Sequence, residues 1–340
     1  MVASAPLFFT SIKKDLMRKL LFTALICSVA MSTSIAQTIT VKAKVYLGGA
    51  LIGSTDIADD GTPLMKDHLR SHPVTGATYL PAQDPYSVAT EYTGLLLQSY
   101  THTGSGGDIN NTTIDNPNYV FGLTGRDAIV DWVFLELRSK WNNKQVVATR
   151  SALVQRDGDI VDLDAESDVL FSDVAVDDYY LVVRHRSHLG VMTADAHTAQ
   201  ELTDGIDFTS PDVLLFDFGT TMTGRDYTGL ATNTFVSNGT NYRILWHGDF
   251  NADNKIKYDM PMSDLNNLYR DVTRHTDNPE NETNFAAAYG YLQGDSNMDG
   301  RVKYFAPQDD TNQLFTAIQL YPLNEKGDLN FDFFIAQIPY

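Results

Sequence analysis

Gly248-Asp249-Phe250-Asn251-Ala252-Asp253-Asn254-Lys255-Ile256-Lys257-Tyr258 returns 46 residues later as Gly294-Asp295-Ser296-Asn297-Met298-Asp299-Gly300-Arg301-Val302-Lys303-Tyr304. The match continues without a gap through Pro261/Pro307, Asp264/Asp310, Asn266/Asn312 and Leu268/Leu314, so that 10 of 21 aligned positions are identical. Most shared residues carry side-chain oxygens or favour turns, which is the pattern of a duplicated metal loop rather than of a repeated apolar core.

The spacing has a chemical reason. A hard cation such as Ca²⁺ takes six to eight oxygens around a tightly wound backbone. Asp249, Asn251 and Asp253 offer three side-chain oxygens on one side of such a loop, and Asp295, Asn297 and Asp299 offer them again. The sixth position requires a positive φ, which Gly300 meets freely and Asn254 tolerates. The seventh contributes a main-chain carbonyl, so Lys255 and Arg301 serve there whatever their side chains. Ile256 and Val302 follow as apolar anchors.

Each loop leads into an amphipathic pattern. Asp264–Arg274 places Leu265, Leu268, Tyr269 and Val272 on one helical face, with Ser263 or Asp264 as N-cap, and Asp310–Leu320 repeats this with Leu314, Phe315 and Ile318. Asn278–Asn284 connects the units, and the apolar tail Phe331–Ile338 is expected to fold back onto the core.

Over about residues 245–320 the chain resembles the EF-hand and, more closely, the dockerin-type calcium repeat. The acid expected at position 12 is absent from both copies, which carry Met260 and Ala306 there. In each, a carboxylate comes four residues later, Asp264 or Asp310, after a shared Lys-Tyr-x-x-Pro. The resemblance carries Asp264 and Asp310 over as bidentate ligands, with Asp309 a rival to the second. Lys257 and Lys303 at position 9 cannot ligate, and affinity on the order of 10⁻⁴ M, as in extracellular modules, is expected.

Upstream the reading is β. Thr38–Leu47 alternates as a strand with one buried face, and Ile129–Arg138, Val146–Gln155, Ile160–Leu163, Val169–Phe171 and Tyr179–Arg186 are β-branched and aromatic runs separated by turns. Val213–Phe218 reads as a further strand, Pro63–Ser71 as one or two helical turns, Thr101–Asn118 as a long polar loop and Phe208–Tyr242 as less regular. The expected fold is mainly β: an antiparallel β-sandwich module over residues 37–240, then a small α-containing tandem calcium-loop–helix module over residues 241–340.

The segments IVDWVFLELR (129–138), VVATRSALVQRDGDIVDLD (146–164) and YYLVVRHRSHLGVMT (179–193), together with the acidic loops, resemble a group of bacterial secreted and cell-surface, adhesin- or hemagglutinin-like proteins. The resemblance covers about residues 126–195 and 245–340 and implies architecture more than activity.

Residues 1–36 read as a signal peptide: Lys13, Lys14, Arg18 and Lys19, the 12-residue apolar run Leu20–Met31, then Ser34 and Ala36 before a cleavage point. Met1 and Met17 are both possible starts. The run is short for a membrane span. The only cysteine, Cys27, lies within it, preceded by Ile26 rather than the small residue a lipoprotein signal would want. Its removal leaves no thiol. Losing four positive charges and one negative takes the formal charge from −18 to −21, which disfavours nucleic acid and favours cations. The expected protein is secreted, to the periplasm, cell surface or medium, with no spanning segment once the signal is removed.

Three other constellations compete. Arg184-His185-Arg186-Ser187-His188 invites a nucleophilic reading with Asp178 or Asp195 as helper, but on a strand it lacks a nucleophile elbow and reads as structural. Gln155–Asp164 could hold a third cation. Asp131 and Glu136, placed at strand ends or edges, carry a weak glycosidase reading. The function expected is non-enzymatic binding or adhesion, toward an unidentified protein or glycan, with two structural Ca²⁺ sites. A dockerin docking to a cohesin-type partner is the alternative, and a carbohydrate-active enzyme a more distant one.

Overall fold

Ile129–Ser139 lies at the centre of the protein. In the computed structural model this run is strand β5, buried along nearly its whole length. The residues described are 36–86, 91–92, 95–96, 101–104, 112–259, 263–305 and 309–339. The expected signal, Ala36 apart, lies outside them, as do Met260, Pro261, Ala306, Pro307 and part of the polar loop 101–118.

Around β5 the chain is β-rich, with few helices. In order the strands are β1 (Ala36–Val41), β2 (Ala43–Lys44), β3 (Glu91–Tyr92), β4 (Leu95–Leu96), β5, β6 (Val146–Gln155), β7 (Asp159–Val161), β8 (Val169–Ala175), β9 (Tyr179–His185), β10 (His188–Met192), β11 (Ile206–Asp207), β12 (Asn233–Ser237), β13 (Thr240–Ile244), β14 (Ala288–Tyr289) and β15 (Arg301–Val302). Seven form one mixed sheet in the order β10-β9-β5-β6-β7-β2-β11, antiparallel except for the parallel join of β11 to β2. The remaining strands form two-stranded pairs, β1 with β8, β3 with β4, β12 with β13 and β14 with β15. Helices α1 (Gly48–Leu51), α2 (Pro117–Val120) and α3 (Ala199–Asp204) are short, whereas α4 (Asp264–Thr273) and α5 (Asp310–Leu320) follow the two loops.

β5 pairs with β6 along one edge and with β9 along the other, and its side chains are buried on both faces. Its polar residues are therefore central, not at ends or edges: Asp131 and Glu136 are both buried. Glu136 meets Arg184 Nε at 2.5 Å and Arg138 Nε at 2.8 Å, while Asp131 meets Arg186 Nε at 3.0 Å. Paired arginines offset the cost of placing carboxylates there.

Several segments depart from the sequence reading. The expected strand 38–47 divides at Lys42, whose N–H donates to Leu202 O and whose carbonyl accepts from Ile206. Residues 213–218 make only one bridge, Leu215 to Thr193, because the Asp217 carboxylate takes the N–H groups of Gly219 and Gly229 and curls the chain. Residues 63–71 are not helical but form a strap, held by Met65 N–H to Arg156 O and Lys66 N–H to Ala50 O. The β12–β13 hairpin turns on Asn238-Gly239, both at positive φ, the Asn-Gly turn of a tight hairpin.

Gln37–Tyr340 is a single compact unit. Its apolar interior contains one large cluster built on the sheet and a second made of Trp246, Phe250, Ile256, Leu268, Val302, Leu314, Phe334 and their neighbours. Met298 of the second acidic loop inserts into the large cluster.

Candidate metal centre

The two acidic passages fold as near copies. Ala252 and Met298 both take φ 54°, and Asn254 and Gly300 take 65° and 81°. Asp249 Oδ1 and Oδ2 accept the N–H groups of Asp253 and Asn254, each at 3.0 Å. Asp295 accepts those of Asp299 and Gly300 at 3.0 and 2.8 Å. Asn251 and Asn297 each accept from the residue two ahead at 3.0 Å, and Asp253 and Asp299 accept from Lys255 and Arg301 at 3.0 and 3.1 Å. Side-chain oxygens thus wind the main chain of each loop around themselves.

Closure follows the late aspartates. Asp264 accepts from Phe250 N–H and Lys257 N–H, both at 2.7 Å, and Asp310 accepts from Ser296 and Lys303 at 2.9 and 2.8 Å. One carboxylate therefore joins the start of each loop to its end. Asp309 serves elsewhere, as N-cap of α5, accepting from Asn312 N–H at 2.6 Å. Ser263 holds the matching position at α4 with no side-chain cap bond.

The repeat extends beyond Leu268/Leu314. Asn278 Nδ2 donates to Val272 O and Glu282 O, and Asn324 Nδ2 to Ile318 O and Asp328 O, every pair displaced by the same 46 residues. The units also exchange partners. Segment Ala288–Tyr289, after α4, pairs with Arg301–Val302 of the second loop. Its counterpart after α5 pairs with the first loop, through Lys255 opposite Ile335 and Ile256 N–H to Phe334 O at 2.9 Å. Gly294 lies against Leu268 of α4, where a Cβ would come within 2.7 Å of the Leu268 Cα, and Gly248 lies against Leu314 of α5. Each loop is thus braced by the other unit.

The charges bear on what such a frame would hold. Asp249, Asp264, Asp295 and Asp310 are all essentially buried. Burial and the neighbouring Asp264 and Asp253 hold the Asp249 carboxyl well above the usual range, and burial does the same to Asp264. Asp310 is raised by burial and by Asp295, and Asp295 is pushed up to about 7 by burial and Asp299. Buried carboxylates are normally paired or bound to metal, so these donors fit a hard cation. Among the described residues, no three His, Cys, Asp or Glu side chains are gathered closely enough to hold a metal as they stand. Calcium loops also use asparagine and main-chain oxygens, which that set omits.

The other constellations are committed differently. Ser187 Oγ lies 3.4 Å from His185 Nδ1, and His185 Nε2 lies 3.1 Å from Asp131. The carboxylate is Asp131 rather than Asp178 or Asp195, and all three residues are buried. His188 Nδ1 donates to His185 Nδ1 at 2.9 Å and its Nε2 accepts from Gly49 N–H at 3.0 Å, so neutral imidazoles weld α1 to the sheet. The aspartates of 155–164 do not converge: Asp157 bonds Arg126, Asp159 bonds Lys44, Asp162 bonds Arg150 and Asp164 bonds Ser167.

No protein-family model, no curated protein and no solved structure matches this chain.

Proposed function

We propose that residues 248–336 form a tandem Ca²⁺-binding brace within a secreted, non-enzymatic binding or adhesion protein. The observation that carries this reading is the matched enclosure of Asp249, Asp253 and Asp264 in one loop and Asp295, Asp299 and Asp310 in the other, with buried carboxyls at both. Asp249, Asn251, Asp253 and Asp264, with the Lys255 carbonyl, would hold one ion. Asp295, Asn297, Asp299 and Asp310, with the Arg301 carbonyl, would hold the other. Ca²⁺ would supply charge compensation and stability rather than chemistry. At tenfold excess over a dissociation constant on the order of 10⁻⁴ M, each site would add about 1.4 kcal/mol. A melting temperature unchanged between EDTA and millimolar Ca²⁺ would defeat this reading.

In the same proposal the β-rich body is a sandwich. The β1–β8 pair supplies part of a second layer, supported by Ile39, Val41, Val169 and Phe171, which share one core with the main sheet. No helix among the described residues is long and apolar enough to cross a membrane. The ligand sought is a protein or glycan.

Docking of the module to a cohesin-type partner is a second reading, favoured by exposed Tyr269, Phe305 and Leu320 on or beside the two helices. A cohesin pull-down that captures nothing, with or without EDTA, would remove it.

A further inference from the structure

The two loops share a frame but differ in the charge placed against them. The strap 63–71 carries Lys66, whose Nζ donates to the main-chain oxygen of Asn297, 231 residues away in the second loop. The strap is fixed on both sides, by Met65 to Arg156 O at 2.8 Å and by Lys66 N–H to Ala50 O at 2.9 Å, so the ammonium is positioned rather than free to swing. It acts electrostatically on Asp295, Asp299 and Asp310 together. Further along, His72 lies against Gly300, leaving no room for a Cβ there.

The first loop is covered differently. The cations acting on its Asp253 include Lys255 and Lys257, both from the loop itself, and Lys257 Nζ is held by Asp332 at 2.5 Å. Arg184, which shares the Glu136 carboxylate with Arg138, reaches Asn254 Oδ1 at 2.7 Å, a contact to an amide oxygen rather than to a carboxylate.

We propose that Lys66 is a tethered counter-ion of the second loop, making it the weaker and later-filling of two Ca²⁺ sites. The proposal rests on the reading that both loops take Ca²⁺. Before the metal arrives, Lys66 partly neutralises Asp295, Asp299 and Asp310. When a divalent ion enters, the same fixed charge opposes it, and like charges in a partly buried setting repel far more strongly than in water. The loop then trades occupancy for order in the absence of metal, and responds to Ca²⁺ concentrations above those that fill its twin.

Isothermal titration of CaCl₂ into the EDTA-stripped full chain tests this at pH 7.5 and low salt. The expected wild-type result is two sites differing about tenfold or more in affinity. Asp295→Asn should abolish the weaker site and Asp249→Asn the tighter. Lys66→Met should tighten the weaker site about tenfold, equal to roughly 1.4 kcal/mol, while Lys66→Arg should leave the separation in place. Two equal wild-type sites, loss of the tighter site in Asp295→Asn, or an unmoved weaker site in a folded Lys66→Met would each overturn the proposal. If circular dichroism shows Lys66→Met unfolded, the two aspartate variants decide. Absence of any Ca²⁺ uptake by the wild type would instead defeat the underlying Ca²⁺ reading.

Discussion

Asp264 and Lys257 are clasped twice: Lys257 N–H donates to Asp264 Oδ2 at 2.7 Å, and Asp264 N–H donates back to Lys257 O at 3.0 Å. Asp310 and Lys303 repeat the clasp at 2.8 and 3.1 Å. The acid that closes each loop thus also starts the following helix. Loop and helix therefore form one mechanical piece.

The sheet is tied to that piece through charge. Glu136 sits between Arg138 and Arg184, and Arg184 continues to Asn254 of the first loop. Glu136→Gln leaves two buried arginines without their shared anion. It should cost about 3–5 kcal/mol, read as a lowered urea midpoint with an unchanged slope. A loss under 1 kcal/mol would show that the trio does not secure the sheet.

The sixth loop positions are not interchangeable. Gly300 has φ +81°, and a Cβ there would lie 2.7 Å from His72 Cδ2, whereas Asn254 uses its side chain to accept from Arg184. Gly300→Asn should therefore destabilise by about 1–3 kcal/mol although asparagine serves the first loop. Adding His72→Ala should recover part of that loss. Equal stability of wild type and Gly300→Asn would mean the strap yields without cost.

Ca²⁺ stabilisation should grow with pH. An acid whose folded pKa is raised contributes stability fully present below its unfolded value, and loses it as pH rises through the folded value. For Asp295 that window runs from 3.8 to about 7. Ca²⁺ replaces the proton, so the gain in melting temperature from EDTA to Ca²⁺ should be larger at pH 8 than at pH 5.5. Burial lowers His185 and His188, which remove stability as pH falls below 6.5. That effect is common to both arms and cancels in the difference. A gain independent of pH would contradict proton–metal competition at these carboxylates.

The loops were legible in the sequence because their frame is made by side chains, and those side chains recur in register. Helices α4 and α5 were legible for a similar reason, through Leu268, Val272, Leu314 and Ile318. The partner exchange was not. Ala288–Tyr289 and Phe334–Ile335 share no residue, because main-chain bonds do the pairing; beyond Leu268/Leu314 only Asn278/Asn324, Asn284/Asn330 and Phe285/Phe331 recur at the 46-residue spacing. Asp131 and Glu136 read as strand ends or edges because Arg184, on β9, and Arg186, just beyond it, meet them only in the folded register, although Arg138 stands two residues from Glu136 on β5 itself. Lys66 could not be read at all, since its meeting with Asn297 depends on the path of the whole sheet.

The most direct test of the account is the stoichiometry of Ca²⁺ uptake by the EDTA-stripped chain, measured by isothermal titration. The account predicts two ions per wild-type chain, and one in Asp264→Ala or in Asp310→Ala, because each removes a single closing carboxylate. A wild-type chain that takes up no Ca²⁺, or variants that retain both ions, would contradict it.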